Sequence, residues 1–473
     1  MMLAKHLFFS LLILTLPAAM SAQLVAFEKV FGDPGKSAFG VASVTLDDEF
    51  IFFLGYESQR GDDTEGTLSK LDLQGNLLWT YEFGTREDDI PRDILLNDQG
   101  EIVVIGETQR NGASEINSFV FVFDTSGTQV WAEVYDKDDQ NLFFNKIKQT
   151  SDGGYIICGY ISGEGFGNDY HVVKMDVDGN IEWEQTYGGL NNEIGVAIEI
   201  LEDGSYVLAG DKQQSDQGPY GIELIGLDPL GLIKWQTDIN DFTNGGCKSM
   251  ILNRAGHLAI VGEAAPPNQL AFDVFLAEVD AQDGQLIWQR FIEASPKSDA
   301  GFGIMELPAK DGYMIAGYGF NEGADDTNVM IAQLDPMGNE LARRYFENAQ
   351  LGIGYDIKPV GNASFLISGF ATREENPGYF LSLDNCLITT VQEQAEVEVQ
   401  LFPNPIPSDQ QSLQLSVPIQ NAKVRIINAS GALVSESQHD HLQSIDLPHP
   451  AKGAYWIGIQ TVDWSIHKKI IRF

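Results

Sequence analysis

Basic residues are scarce in this sequence. It contains 29 lysines and arginines against 68 aspartates and glutamates, which gives a formal net charge of -39 at pH 7. Nucleic acids and anionic membrane surfaces are bound through clusters of lysine and arginine. We therefore expect neither as a partner, and we interpret the acidity as a solvated surface that keeps the protein in solution.

Cysteine and histidine are also scarce, with 3 and 7 residues among the 473. Cys158, Cys247 and Cys386 are widely separated and show no spacing typical of a metal site, a redox pair or a disulfide framework. Within residues 24–388 the histidines are His171 and His257, and neither belongs to a metal-ligating or nucleophile-activating motif. We therefore assign no catalytic, cofactor-binding or metal-binding residue and expect no cofactor.

Long hydrophobic runs are missing apart from one near the start. Residues 7–16 are apolar and are followed by Pro17 and a stretch of small residues, which is the pattern of a secretory signal peptide. The run is too short to span a membrane. We predict a signal peptide over residues 1–22 and no membrane span in the mature chain.

Tryptophan, in contrast, recurs at a fixed interval. Trp79, Trp131, Trp183 and Trp235 lie 52 residues apart, and Trp288 follows after 53. Two further series have the same period and seven members each: a glycine (Gly55, Gly106, Gly159, Gly210, Gly262, Gly317, Gly369) and an aspartate (Asp72, Asp124, Asp176, Asp228, Asp280, Asp335, Asp384). A fixed period of this length indicates stacked copies of one supersecondary unit.

Each copy contains four short runs of strand-forming residues, separated by turn sequences such as Asp152-Gly153-Gly154. No helical periodicity competes with this pattern. Four strands in about 50 residues, repeated seven times, are typical of β-propeller blades. We predict an all-β fold: a seven-bladed β-propeller followed by a small C-terminal β-sandwich.

The two ends of the repeat region predict how the ring closes. After Asp384 the seventh copy lacks its fourth strand and its tryptophan, whereas residues 24–32 form an additional strand before the first copy. Phe27 lies 52 residues before Trp79, at the position of the tryptophan. We expect this N-terminal strand to complete the last blade, which leaves no open sheet edge. Ala342 replaces the tryptophan in blade six, where we expect different packing.

The repeat text resembles known propellers. The segment from Asp152-Gly153-Gly154-Tyr155 to Tyr187-Gly188-Gly189 is similar to the repeat of a broad set of uncharacterised secreted bacterial propellers. More distantly, it resembles the blades of the quinoprotein dehydrogenases. The tryptophan docking motif of that family is matched only by Asp280, Gly284 and Trp288, and its adjacent cysteine pair is missing. A sialidase-type Asp box fits the Asp-to-Gly and Gly-to-Trp intervals of the repeat less well. Neither family's chemistry transfers to this chain.

The C-terminal region carries more specific landmarks. A Pro-Asn-Pro motif, a glycine hairpin, a Gly-x-Tyr motif and a lysine pair follow one another there, at Pro403, Asn404, Pro405, Gly431, Gly453, Tyr455, Lys468 and Lys469. This order resembles the C-terminal sorting domain of proteins exported by the type IX secretion system of Bacteroidota. The resemblance implies that the type IX secretion machinery is a partner and that the protein is secreted or held at the outer cell surface.

Together these features predict four segments. They are a signal peptide at 1–22, the propeller at 23–388, a linker at 389–398 and the sorting domain at 399–473. Since the resemblance implies that the tail is an address, we expect the function to reside in the propeller.

One face of the propeller is expected to be acidic. The loops that join blades, and those between second and third strands, emerge on one face of this fold. Here they contain Asp62, Asp63, Asp88, Asp89, Asp138, Asp139, Asp169, Asp325 and Asp326. A divalent cation such as Ca²⁺, a neutral glycan or a basic protein would suit such a face. The competing interpretation, which we favour, is that these residues only form solvated turns.

Two functions are compatible with this sequence. We predict a secreted or surface-attached binding module with a glycan or protein ligand. The alternative is an extracellular hydrolase or lyase that acts on carbohydrate. Carboxylates about 5 to 10 Å apart beside aromatic platforms in the central funnel would favour glycoside chemistry, whereas a plain polar channel would favour binding.

Overall fold

The computed structural model describes two compact units, one ending at Ile388 and one beginning at Thr389. The residues described are 27–31, 36–47, 49–59, 64–84, 88–109, 115–137, 139–162, 167–293, 297–307, 312–320, 326–346, 351–361, 364–373, 376–384, 401–402, 412–428, 433–446, 453–460 and 465–472. The predicted signal peptide and linker lie outside these residues.

The first unit is built from four-stranded antiparallel sheets. Six of them, here called blades 1 to 6, each use four consecutive strands of the chain. Blade 1 contains β2 (Lys36–Leu46), β3 (Phe50–Gln59), β4 (Thr64–Asp72) and β5 (Leu77–Phe83). Blade 2 contains β6 (Asp89–Leu96), β7 (Ile102–Gln109), β8 (Ile116–Phe123) and β9 (Gln129–Tyr135). Blade 3 contains β10 (Asn141–Gln149), β11 (Tyr155–Ser162), β12 (Asn168–Met175) and β13 (Ile181–Tyr187).

The next three blades repeat this order. Blade 4 contains β14 (Glu193–Ile200), β15 (Tyr206–Gln213), β16 (Tyr220–Leu227) and β17 (Ile233–Ile239). Blade 5 contains β18 (Asn244–Leu252), β19 (His257–Ala265), β20 (Asp273–Asp280) and β21 (Leu286–Ile292). Blade 6 contains β22 (Ala300–Glu306), β23 (Tyr313–Gly319), β24 (Asn328–Leu334) and β25 (Glu340–Tyr345). The repeated four-strand pattern confirms an all-β propeller fold.

A further four-stranded sheet, the composite sheet, combines the two ends of this unit. It contains β26 (Gly352–Val360), β27 (Ser364–Arg373), β28 (Asn376–Asp384) and the N-terminal β1 (Phe27–Phe31), in the order β1-β28-β27-β26. β1 runs antiparallel to β28, with Phe27 opposite Leu383 and Phe31 opposite Tyr379. Six blades are therefore contiguous in sequence, whereas this sheet is assembled from distant segments.

The recurring tryptophans connect neighbouring blades through a second set of glycines, which lie in turns. Each tryptophan packs on the glycine in the turn between the third and fourth strands of the next blade, in the pairs Trp79–Gly127, Trp131–Gly179, Trp183–Gly231, Trp235–Gly284 and Trp288–Gly338. These glycines have positive φ angles, which side-chain-bearing residues rarely adopt. A large flat ring covers such a turn because no Cβ intervenes. The tryptophan period therefore records blade-to-blade contacts.

The same contact explains the two exceptions in the series. The ring of Phe27 packs on Gly75, the corresponding turn glycine of blade 1. Phe27 also joins a core cluster with Leu71 of blade 1 and Leu366 of the composite sheet. Blade 6 faces the composite sheet, whose β28 and β1 are not consecutive and so share no connecting turn. A tryptophan at Ala342 would have no such glycine to cover, and Phe346 is buried in the shared core instead.

The second unit does not confirm the predicted sandwich. It contains β29 (Leu401–Phe402), β30 (Ser412–Asn428), β31 (Leu433–Asp446), β32 (Gly453–Gln460) and β33 (Ser465–Arg472), which form one five-stranded sheet. The pairing of β30 with β31 shifts register between Gln414 and Ile419, and buried residues from both parts of β30 join one core. The two-sheet sandwich is thus not confirmed, because alternating hydrophobicity shows which face is buried but not how many sheets share it.

Candidate functional site

A β-bulge recurs in the first strand of every blade and of the composite sheet. Each bulge inserts one residue that has no partner on the second strand: Val41, Arg92, Asn145, Val196, Lys248, Phe302 and Tyr355. All seven residues line one cavity of about 300 Å³. The first strands therefore surround a common axis, and this cavity is the centre of the propeller.

The recurring glycines make these bulges sterically feasible. A Cβ added at Gly159 would overlap the carbonyl oxygen of Phe143, and a Cβ at Gly262 would overlap that of Gly246. Both carbonyls lie two residues before a bulge, so the bulged first strand approaches the second strand too closely for any side chain there. Bulges re-aim side chains in this way elsewhere in proteins. Here they turn one side chain per sheet into the cavity.

Blades 2 and 5 place ion pairs at the cavity wall. Arg92 Nη2 lies 2.7 Å from Glu107 Oε1, and Lys248 Nζ lies 3.1 Å from Glu263 Oε1. Each pair joins a bulged cation to the acidic residue that follows the recurring glycine. In blade 4 the equivalent acid is Asp211, whose Oδ1 accepts a hydrogen bond of 2.7 Å from the Cys247 amide. Burial raises the pKa of Asp211 to about 6.

The residues that follow three of the bulges in the chain are charged and also line the cavity. Lys146 Nζ lies 2.9 Å from Asp93 Oδ1, and Asp93 Oδ2 accepts a hydrogen bond of 3.1 Å from the Ile147 amide. Asp356 Oδ2 accepts one of 3.3 Å from the Ser43 amide, and its other oxygen lies 3.1 Å from Lys358 Nζ. Each cavity carboxylate is therefore held by a lysine and a backbone N–H.

Lysine 146 is held in its charged form. Burial alone would lower the pKa of Lys146, but the attraction of Asp93 and Asp356 raises it above its ordinary value. The lysine thus contributes a fixed positive charge to the cavity at neutral pH.

Aromatic side chains line the part of the cavity formed by blade 1, the composite sheet and blade 6. Neighbouring rings from blade 1, the composite sheet and blade 6 form a continuous series, the aromatic arc: Tyr56–Phe39 at 5.2 Å, Phe39–Phe370 at 5.2 Å, Phe370–Tyr355 at 5.9 Å, Tyr355–Phe302 at 5.2 Å and Phe302–Tyr318 at 6.1 Å between centroids. Burial raises the pKa of Tyr355 and of Tyr318 to about 12, so both hydroxyls remain protonated donors.

The loops of the predicted acidic face serve first to hold strands together. In five blades a residue at the start of the first strand uses a side-chain oxygen to accept a hydrogen bond. The donor is the backbone N–H of the residue at the start of the third strand of the preceding blade. The five instances are Asp88 with Thr64 at 2.8 Å, Asn141 with Ile116 at 2.7 Å, Asn192 with Asn168 at 3.0 Å, Asn244 with Tyr220 at 2.7 Å and Ser298 with Phe272 at 3.2 Å. These contacts place the start of the first strand beside the start of the third strand of the preceding blade.

The remaining predicted acidic residues occupy varied environments. Asp89 is buried, Asp169 is half-buried with its pKa raised by burial, and Asp139 and Asp326 are exposed. Asp62, Asp63, Asp138 and Asp325 lie outside the described residues. Within the described part of the chain, no group of three or more His, Cys, Asp or Glu side chains is arranged to hold a metal ion.

The segment Asp176-Val177-Asp178-Gly179-Asn180, which has the acidic and amide spacing with which calcium loops begin, is a turn. Asp176 Oδ1 accepts hydrogen bonds from the amides of Asp178 and Asn180, at 3.0 and 2.8 Å. The carboxylate thus accepts hydrogen bonds from backbone amides of its own loop, as Asp72 and Asp335 do in their blades. Such Asx turns need no cation.

A second cavity, of about 340 Å³, lies between blades 2 and 3. It borders His171, which is 2% exposed and whose Nε2 lies 3.4 Å from Glu184 Oε2 without forming a hydrogen bond. Nδ1 of His171 lies 3.2 Å from Thr186 Oγ1, and Lys137 pairs with Glu184. Burial lowers the pKa of His171 to about 4, so the ring is neutral at pH 7.

The two propeller cysteines that the structure describes are packing residues. Cys158 and Cys247 are buried and form no disulfide. Burial raises the pKa of both thiols, which disfavours the reactive thiolate. Cys158 is thus a small buried residue of the hydrophobic core.

Sequence reasoning missed the cavity residues. Those at the bulges share no chemistry, so no motif marks them. A signal was nevertheless present, because each bulge lies 14 residues before the recurring glycine, or 15 in blade 6. The residue after that glycine also faces the cavity side in blades 1, 2 and 5, where Tyr56, Glu107 and Glu263 are found.

Comparison with known proteins identifies the C-terminal unit. Residues 400–472 match the family model described as a secretion system C-terminal sorting domain. The tail matches a sorting domain. This sorting tail indicates type IX secretion, and it implies contact with that machinery and export out of the cell, to the surface or the medium.

The landmark residues of the sorting tail are partly described. Gly453 begins β32, and Tyr455 pairs with Ile470. Lys468 and Lys469 lie on β33 opposite Ile457 and Trp456. Pro403, Asn404, Pro405 and Gly431 lie outside the described residues.

Several solved structures are similar to this chain. The Pan2 WD40 domain of Neurospora crassa is 12% identical with a TM-score of 0.48, over 74% of this chain and 90% of that one. A protein of unknown function from Dyadobacter fermentans is 10% identical with a TM-score of 0.43, over 75% and 96%. PorZ of Porphyromonas gingivalis, a surface component of the type IX secretion system, is 10% identical with a TM-score of 0.37, over 90% and 69%. No curated protein matches the sequence.

Across the described residues, no helix has the length and apolar character that a membrane crossing requires.

Proposed function

We propose that this chain is an exported binding protein that takes its ligand in the central cavity of a closed seven-bladed propeller. The cavity itself carries the proposal: one bulged side chain from each first strand converges there, and the set combines cations, an amide and aromatic rings. Convergent polar groups within a partly apolar hollow are typical of ligand sites.

The seven-blade count rests on treating the composite sheet as a blade. Its first strand contributes Tyr355 to the cavity, as the other first strands contribute their bulged residues. Its fourth strand contributes Phe27 at the tryptophan position. These two equivalences support a ring closed by the N-terminal strand, in a chain that a cleaved signal peptide and the sorting tail direct out of a Bacteroidota cell.

Binding is favoured over carbohydrate cleavage by the state of the cavity carboxylates. Asp93 and Asp356 each accept a backbone N–H and pair with a lysine. A glycosidase needs one carboxyl group free to donate a proton and another free to attack or to activate water. The two carboxylates here are instead committed to holding strands and charges in place.

A screen of glycans and peptides against the mature protein tests this proposal. Val196 lines the cavity, so Val196→Trp should fill it and abolish binding of every ligand that the screen finds. Val130, 51% exposed on β9, offers the control Val130→Trp, which should bind normally. Ligands that bind equally to both variants would place the site elsewhere.

The acidic loop face stays a separate proposal with its own test. If Ca²⁺ binds there, it should raise the melting temperature of the mature protein relative to a sample with chelator. An unchanged melting temperature would remove the cation from the proposal, and the proposed site in the central cavity would be unaffected.

Deletion of residues 400–472 tests the proposed export route. The shortened protein should stay inside the cell envelope, whereas secretion without the tail would contradict type IX export.

A further inference from the structure

The accessible charge of the central cavity is opposite to that of the protein. The sequence has more than twice as many acidic as basic residues. Three cations, Arg92, Lys146 and Lys248, nevertheless line the cavity with two carboxylates, Asp93 and Asp356. A cationic hollow in an acidic protein attracts an anionic ligand and selects against the cations that the outer surface attracts.

Exposure strengthens this difference. The side chain of Arg92 is 42% exposed, while its partner Glu107 is 10% exposed. Lys146 is 24% exposed and Asp93 only 5%. In these two pairs the carboxylate lies behind the cation and holds it in position, whereas Lys248 and Glu263 are similarly exposed, at 26% and 25%. Arg92 in particular keeps guanidinium hydrogen atoms available for a second acceptor, and its planar group suits a carboxylate.

The aromatic arc lies next to this positive charge. Tyr56, Tyr355 and Arg92 line the same cavity. Burial raises the pKa of both tyrosines, and the positive charge of Arg92 partly opposes that rise. Phe302 continues the arc, with its ring 5.2 Å from Tyr355. A ligand whose anionic group reaches Arg92 would therefore have its body against aromatic faces.

Aromatic faces with hydroxyl donors suit a sugar ring. The faces are negative and attract the partly positive C–H groups of a pyranose, while tyrosine hydroxyls bind its polar edge. The volume of about 300 Å³ is at the small end for ligand sites and suits one or two sugar residues. Asn145, at the bulge of blade 3, adds an amide that donates and accepts hydrogen bonds.

We propose that the central cavity binds a carboxylated sugar, with its carboxylate on Arg92 and its ring against Tyr355 and Phe302. This assignment rests on the proposed binding function and specifies its ligand class. A neutral sugar would leave the cations unused, and an inorganic anion would leave the aromatic arc unused.

Calorimetric titration of the mature protein with two probes tests the assignment. The probes are a uronic acid disaccharide and its methyl ester, which differ in the charge of the carboxyl group and in one methyl group. We expect the acid to bind at least tenfold more tightly than the ester. Arg92→Gln should remove that preference, and Arg92→Lys should keep part of it. Lys234→Gln, which removes a surface cation paired with Asp203, should change neither affinity.

Other outcomes would overturn the assignment in distinguishable ways. Equal affinity for acid and ester, lost in Tyr355→Leu, would reject the charged ligand while leaving the cavity as the binding site. Competition by sodium acetate at the same concentration as the disaccharide would show an anion site without sugar recognition. Binding that Val196→Trp leaves intact would reject the cavity itself, and with it the proposed function. Circular dichroism checks that each variant is folded.

Discussion

The ring of Phe27 packs on the backbone of Gly75, in a contact that joins the first strand of the propeller to its first complete blade. A Cβ at Gly75 would approach Phe27 Cε2 to 2.7 Å. Because the tryptophans make the same contact between successive blades from blade 1 to blade 6, Phe27 is the residue that continues their series across the point where the two ends of the chain meet.

Phe27→Ala should destabilise the propeller by about 2–4 kcal/mol, since it removes a large ring from a shared core. Phe27→Trp should retain most of the stability, because tryptophan occupies the equivalent position in five blades. Chemical denaturation followed by near-ultraviolet circular dichroism measures both. Wild-type stability of Phe27→Ala would show that the contact with Gly75 contributes little.

Gly159→Ala should be strongly destabilising, by roughly 3 kcal/mol or more, because the added methyl group overlaps the Phe143 carbonyl and overpacking is costly. Gly189→Ala is the matched control: the nearest atom to its Cβ would be Glu193 Oε1 at 4.0 Å. That variant should be as stable as the wild type or slightly more so. Equal denaturation midpoints for the two variants would contradict the link between the glycine and the bulge.

Asn244→Ala should cost about 1 kcal/mol, because the Tyr220 amide loses its side-chain acceptor at 2.7 Å. Asp326→Ala, on the same face but exposed, should stay within about 0.5 kcal/mol of wild type. Thermal unfolding distinguishes them. A larger loss from Asp326→Ala would mean that exposed acidic residues, and not strand-holding amides, support this face.

Acid should destabilise the wild type partly through His171. The pKa of this histidine falls from its ordinary 6.5 to about 4 on burial, so the unfolded chain binds a proton more readily. The stability that the neutral, buried ring of His171 contributes is fully present above about pH 7 and is lost as the pH falls from 6.5 towards 4.

His171→Gln should therefore show a weaker loss of stability between pH 7 and pH 5, by about 1–2 kcal/mol. His441→Gln, an exposed histidine of the second unit, should follow the wild-type profile. Denaturant midpoints at both pH values provide the measurement, and parallel profiles for His171→Gln and wild type would argue against the buried neutral ring.

The fold was more predictable than the site because the two depend on different kinds of pattern. Trp131 and Gly179 recur in equivalent blades since every blade needs the same contact, and that repetition is visible in one sequence. Arg92 and Lys248 occupy equivalent bulges yet differ from Val41 and Phe302, because the bulge fixes the backbone and not the chemistry of the side chain. Their convergence depends on the ring, so spacing along the chain could not reveal it.

The acidic face shows a related limit of sequence patterns. Asp88 and Asn141 lie in loops that the sequence predicts on the same face as the second-to-third-strand loops. What the sequence does not express is that their side chains accept backbone N–H groups of the neighbouring strand. Asp and Asn are favoured equally by solvated turns, strand caps and cation sites. Composition alone therefore could not distinguish these roles.

The composite sheet also determines when this protein can finish folding. Ser43 and Asp356, which share a hydrogen bond, are separated by 313 positions in the chain. During synthesis, blades 1 to 6 can pair their strands as each emerges, but β1 must wait for β28. Closing so long a loop is entropically costly and makes the final step a non-local one. Until then both β1 and the edge of β28 are unpaired, so the interval before closure is the period in which the chain is most exposed to misassembly.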